Sequence, residues 1–207
     1  MNGVKENISL KEYTTFKVGG PAKYLFTAET EEDLIQAVNE AKENGVPYYI
    51  LGSGANVLVS DKGYDGLVIV TNNDDVTING NTVFAQAGAS IGKLVLTTVN
   101  AGLSGIECWA GIPGTVGGSI FGNMGLPAAK RGEMSDWIVT VSVLRDSEKI
   151  TLSNEDCGFS YRHSNFKKGN DVVLSATFEL EKTTDIDGLK SDMKTYQKKK
   201  LGEQPLE

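Results

Sequence analysis

The chain has 207 residues, 40% of them hydrophobic and 23% charged, with a formal net charge of −7, and it is long enough to bury a substantial core as one large domain or two small lobes. The acidic balance argues against a nucleic-acid partner, because neutralising phosphates needs clustered Lys and Arg, and the short run Lys198-Lys199-Lys200 reads as a solvated helix face. No apolar run approaches a membrane span, the polar start "MNGVKENISLKEYTTF" is unlike a secretory signal, and Cys108 and Cys157 suit neither a disulfide framework nor a metal site, so a cytoplasmic protein without metal is expected.

In chain order, "KYLFTA" (23–28) predicts a short strand. Thr30 is placed to cap a helix with Asp33 in its first turn, Leu34, Val38 and Ala41 share one face, and Gly45 stands where a helix-ending glycine belongs. "PYYIL" (47–51) is the next strand, so residues 23–51 read as a crossover between parallel strands. "GLVIV" (66–70) is a further strand, and "VTI" (76–78) and "VFAQA" (83–87) flank the hairpin turn Asn79-Gly80-Asn81. Ser90 caps a helix with Ile91, Leu94, Val95, Thr98 and Val99 on one face, ending at Gly102. "IVTVSVL" (138–144) and "KITL" (149–152) are strands joined by a turn at Arg145-Asp146-Ser147, "VVLSATFEL" (172–180) is another, and a polar helix occupies about 186–200. The pattern is α+β: a small mixed lobe over residues 1–70, a larger, mostly antiparallel lobe over 71–185, and a helical segment over 186–207.

Two glycine-rich loops interrupt this pattern. "GSGAN" (Gly52, Ser53, Gly54, Ala55, Asn56) leaves a strand as a short loop and is neither a Walker loop nor a Rossmann fingerprint. Such a loop can gather backbone N–H groups into a concavity suited to anionic oxygen, with Ser53 and Asn56 as further donors, or it can be a plain tight connection. The second run, "GIECWAGIPGTVGGSIFGN" (105–123), carries six glycines. Glycine loses more entropy on folding than other residues, so this density calls for unusual backbone angles or close approach. Two loops of this kind on opposite sides of one domain suggest a long ligand with a charged middle, such as a dinucleotide, bound mainly by main-chain N–H groups; the alternative is two unrelated connections.

Further on, "CGFSYRHSNF" (157–166) sets Tyr161, Arg162, His163 and Ser164 between Phe159 and Phe166. Arginine supplies a fixed positive fork for a carboxylate or for charge developing on oxygen, and it is equally at home in a surface ion pair. The lone histidine has no acidic neighbour in the motif and reads as solvated or structural, while Cys157 reads as buried and inert.

Five segments, "TTFKVGGPA" (14–22), "LGSGANVLV" (51–59), "GIPGTVGGS" (111–119), "FSYRHSNF" (159–166) and "EQPLE" (203–207), together resemble the UDP-N-acetylenolpyruvoylglucosamine reductase family, flavoproteins of peptidoglycan precursor synthesis. The resemblance implies a two-lobed FAD-binding domain of the vanillyl-alcohol oxidase and p-cresol methylhydroxylase type. Noncovalent FAD would lie between the lobes, faced by Gly52, Ser53, Gly54, Ala55 and Asn56 and by Ile112, Pro113, Gly114, Thr115, Gly117 and Gly118. It also implies transfer of hydride from NADPH by way of FAD to the enolpyruvyl double bond of the UDP-sugar. In that reading Arg162 is the catalytic arginine, Tyr161 orients the substrate, Asn123 contacts it, and the protein is a cytoplasmic monomer whose partner is that small molecule, with no nucleic acid or membrane.

The chain also departs from the family. It stops at Glu207, ahead of the segment that carries the family's serine proton donor and a later glutamate, and Ser164 is no substitute. The expectation is therefore a fragment of a longer enzyme, or a short form that binds flavin without completing the reaction. "SIFGNMGLPAAKRGEM" (119–134) places Leu126-Pro127 where the family has Ala-Tyr. Another flavin oxidoreductase of the same superfamily and a flavin-binding module without turnover are the competing functions.

Overall fold

The computed structural model describes residues 3–126 and 132–203, so Gln204–Glu207 of the last matched segment and residues 127–131 of the departing loop lie outside the described residues. The first sheet is built from β1 (Lys5–Ser9), β2 (Pro21–Ala28), β3 (Tyr48–Leu51) and β4 (Tyr64–Thr71), in the order β1-β2-β4-β3. β1 runs antiparallel to β2, while β2 and β3 each pair in parallel with β4. The predicted crossover therefore joins parallel strands that are not neighbours, because β4 is inserted between them.

Between β2 and β3 runs α1 (Glu31–Glu43). Thr30 Oγ1 accepts from the Asp33 amide at 3.0 Å and Asp33 Oδ2 accepts from the Thr30 amide at 3.0 Å, a reciprocal cap that satisfies two otherwise orphaned donors. Leu34, Ala37, Val38 and Ala41 are buried against Leu67 and Ile69 of β4. The alternate β4 residues Val68 and Val70 face Leu10, Leu25 and Leu51 in a separate cluster. Covering both faces explains why "GLVIV" is apolar without alternation.

The second sheet is antiparallel, ordered β5 (Val76–Asn79), β6 (Thr82–Gln86), β10 (Val172–Glu179), β8 (Ile138–Arg145) and β9 (Glu148–Ser153). The β8–β9 hairpin turns on Asp146 (φ 48°) and Ser147 (φ 69°), two left-handed residues whose twist matches the flanking strands even without glycine. The main core lies under this sheet, where α2 (Ile91–Asn100), the short α3 (Val116–Gly122) and Leu189 of α4 (Ile186–Glu203) pack with Trp109, Trp137 and Phe178. The small strands β7 (Leu103–Ser104) and β11 (Glu181–Lys182) pair with each other. The two sheets are joined through the α1 cluster, which also takes in Leu144, Val172 and Leu174, and through an ion pair between Glu31 and Lys149. Among the described residues no helix is long and apolar enough to cross a membrane.

β1 and α3 escape sequence reading for physical reasons. "KENIS" is an edge strand with mostly exposed side chains and no alternation. The segment "VGGSIFG" holds three glycines in seven residues, a composition that disfavours helix on propensity alone. It is helical because Val116, Ser119 and Ile120 are buried and Thr115 caps its start, its hydroxyl accepting from the Gly118 amide at 3.4 Å.

Candidate flavin site

The two glycine loops are not on opposite sides of the domain. They touch: a Cβ on Gly52 would collide with Thr115 Oγ1. Gly54 has φ +65° and crosses directly over Tyr13 and Thr14, where a Cβ would meet the Tyr13 carbonyl; its own carbonyl accepts from the Thr15 amide at 3.2 Å. The matched segments 14–22, 51–59 and 111–119 therefore converge on one place.

Within that place the loops divide the labour unevenly. The Val116 and Gly117 amides donate to the carbonyls of Ala89 and Ala87, both at 2.8 Å, and a Cβ on Gly117 would stand 2.9 Å from that of Ala87. These two amides hold the loop to the protein and are not free for a ligand, which corrects the expectation that both loops offer their N–H groups alike. Among the described residues the amides of Ser53, Gly54, Ala55 and Asn56 donate to no other protein group. The remaining glycines supply clearance: the nearest atom to a Cβ on Gly114 or Gly118 is a hydroxyl 3.5 Å away. Pro113 is exposed, the Ile112 amide is bonded to Trp109 at 3.0 Å, and Thr115 is buried. Leu58, 77% exposed, and Phe121, 46% exposed, flank the two loops. Unspent amides, two bare glycine faces and exposed apolar side chains fit a ligand with phosphates in its middle and flat rings at its ends.

On a neighbouring wall Tyr161 and Arg162 form the tip of a two-residue turn. Ser160 and His163 exchange two backbone hydrogen bonds of 3.0 Å across it, and Arg162 alone of the central pair has positive φ, at 53°. That position of such a turn usually falls to glycine, so holding an arginine there is backbone strain of the kind found at functional sites. Arg162 Nη2 donates to the Gly125 carbonyl at 2.7 Å, and its guanidinium carbon lies 5.6 Å from the centre of the Tyr161 ring. Arg162 is exposed and Tyr161 is 71% exposed, so both reach solvent.

Three other sequence candidates are internal. Asn123 is 0% exposed and its amide is committed to Glu133, Ser135 and Ser160, so the substrate contact expected of it is not available to its side chain. Ser164 is also 0% exposed, its hydroxyl donating to the Phe121 carbonyl at 2.8 Å. His163 is half-buried and its main chain closes the turn.

The FAD binding domain model matches residues 22–153, well over half of the chain. The crystal structure of UDP-N-acetylenolpyruvylglucosamine reductase from Thermus caldophilus superposes with a TM-score of 0.81 at 34% identity, covering 97% of this chain and 70% of that one. The chain belongs to the UDP-N-acetylenolpyruvoylglucosamine reductase family. A relative of that name from Lactobacillus acidophilus is 44% identical over 180 residues, which are 86% of this chain but only 59% of that protein. Alkyldihydroxyacetonephosphate synthase, at TM-score 0.60 and 18% identity over 80% of this chain and 33% of its own, shares the fold alone. The architecture is thus the two-lobed FAD-binding domain of the vanillyl-alcohol oxidase type.

Two expectations about this chain can be measured directly. Gly52→Ala forces Thr115 to turn its hydroxyl away and release the Gly118 amide, so FAD affinity should fall by about tenfold, the equivalent of one lost hydrogen bond. Thr115→Ala deletes the same hydroxyl, so adding it should cost little beyond the single substitution, a coupling visible in a fluorescence titration of all four proteins.

Burial pushes both cysteine thiols up to about 11, with help from Glu107 beside Cys108 and from Asp156 beside Cys157. Neither thiol should react with a disulfide reagent near neutral pH until the protein unfolds. Because the folded pKa lies above the ordinary value of 9.0, the stability that these thiols contribute is complete below pH 9 and is lost as pH rises through about 11. Denaturant midpoints measured between those limits should show the decline.

Proposed function

We propose that the chain is the flavin-binding part of an NADPH-dependent reductase that saturates the enolpyruvyl double bond of UDP-N-acetylglucosamine enolpyruvate, a step of peptidoglycan precursor synthesis in the cytoplasm. The observation that carries this reading is the Tyr161–Arg162 turn, which holds a solvent-facing guanidinium on strained backbone beside the segment that begins with the glycine loop. FAD, held noncovalently by residues 52–56 and by Gly114 and Gly118, would supply two-electron transfer between NADPH and the double bond. Arg162 would bind the substrate carboxylate and stabilise the negative charge that builds next to it, as a fixed fork of donors does for any developing oxyanion. The Tyr161 ring, stacked near that guanidinium, would orient the substrate. Ser164, sealed against Phe121, is not available to deliver the proton that completes the addition.

The test begins with the purified chain and added FAD. The expected result is a yellow protein whose flavin is released on denaturation, showing that it is not covalently attached. Flavin absorbance should then bleach with NADPH and return when the enolpyruvyl UDP-sugar is added. A protein that gains no flavin defeats the reading at its base. Bleaching without recovery points to a different electron acceptor or to the missing proton donor, and bound flavin that ignores NADPH leaves a binding module.

A further inference from the structure

We propose that Asn123 is a positioning residue for Arg162, acting through Ser160 and Gly125 and touching no ligand; the inference rests on the role given to Arg162 above. Asn123 ends α3 in the left-handed conformation, with φ 43° and ψ 64°. Glycine would satisfy that backbone with less strain, so the side chain is what the position needs.

The carboxamide spends its hydrogen-bonding capacity on two other segments. Nδ2 donates to the Ser160 carbonyl at 3.0 Å and to Glu133 Oε2 at 3.1 Å, and Oδ1 accepts from the Ser135 amide at 3.1 Å. Ser160 is the residue at the base of the Tyr161–Arg162 turn, and its carbonyl also accepts from the His163 amide at 3.0 Å. One bond from Asn123 therefore pins the hinge of the turn. Two residues on, Gly125 bridges to Glu133 and offers the carbonyl on which the Arg162 guanidinium rests. A single buried amide thus fixes both ends of the arginine: the backbone from which it starts and the wall on which it lands.

Other tethers keep the turn in place when that amide is gone. Ser164 Oγ donates to the Phe121 carbonyl, and Lys167 Nζ donates to the Arg162 carbonyl at 2.9 Å. Loss of the Asn123 side chain should therefore loosen the guanidinium without melting the segment.

Asn123→Gly is the direct test, since it keeps the left-handed backbone accessible and deletes only the amide. In 15N-labelled protein without cofactor or substrate, the Arg162 guanidinium should give restricted, resolved Nη signals, and these should average out in the variant. Modification of Arg162 by phenylglyoxal, followed by mass spectrometry, should accelerate about five- to tenfold, as expected for one buried hydrogen bond lost. The melting temperature should also fall, because the bonds to Glu133 and Ser135 are lost with the one to Ser160. If the glycine variant does not fold, Asn123→Asp combined with Glu133→Gln decides: it preserves the acceptor for Ser135 and removes only the donor to Ser160, and the same loosening is expected. Unchanged Arg162 signals and reactivity in a folded variant overturn the inference. Because neither readout uses flavin or UDP-sugar, that outcome leaves the proposed reaction standing, and failure of the reaction leaves these measurements interpretable.

Discussion

Gly105→Ala is expected to destabilise the protein by roughly 3–5 kcal/mol, a large part of what a domain usually possesses. Gly105 has φ +133°, a conformation that L side chains rarely adopt, and a Cβ there would stand 2.6 Å from Cζ2 and Cζ3 of Trp137. The indole has nowhere to retreat, because Trp137 is 5% exposed and belongs to the main core. The Gly105 amide is also fixed, donating to Glu107 Oε2 at 2.6 Å. Gly122→Ala is the matching control: nothing lies within 4 Å of its added Cβ, and the position is helical with negative φ. That substitution should stabilise the chain by about 0.4–1 kcal/mol. Urea unfolding of both variants checks the pair. A Gly105→Ala protein as stable as the parent would show that the ring can move and that the close approach is dispensable.

The second large effect is on chemistry. Arg162→Ala should leave flavin bound while slowing recovery of NADPH-bleached flavin by the enolpyruvyl UDP-sugar about 10²- to 10³-fold, the usual consequence of removing one oxyanion donor. Alanine and arginine are similarly strained at positive φ, so the substitution should move the melting temperature little beyond the lost bond to the Gly125 carbonyl. Arg162→Lys should recover only part of the rate, since an ammonium lacks the planar fork. Loss of flavin from the alanine variant would shift Arg162 from the substrate to the cofactor.

The candidate site was legible in part. Five short segments in order led to the reductase family, and three of them do meet in one place. What the segments could not show is which glycine does what. Gly105 makes room for Trp137, Gly111 lies against Gln197 and Lys200 of α4, and Gly117 lies against Ala87. Gly114 and Gly118 remain as open faces. The density of glycine in this run thus reflects internal close packing as much as clearance for a ligand. The resemblance that suggested a substrate contact for Asn123 could not show that its side chain is buried and bonded to Glu133, Ser135 and Ser160.

What the sequence by itself determined is whatever depends on near neighbours. The Thr30 cap, the apolar faces of α1 and α2, the hairpin turns and the family motifs all follow from residues a few positions apart, where propensity and periodicity act. The tertiary structure alone decided the rest: β4 sits between β2 and β3, Gly52 meets Thr115, and the guanidinium of Arg162 rests on Gly125. Those contacts join segments far apart in the chain, and steric fit and the pairing of buried polar groups take effect only once folding has brought such segments together.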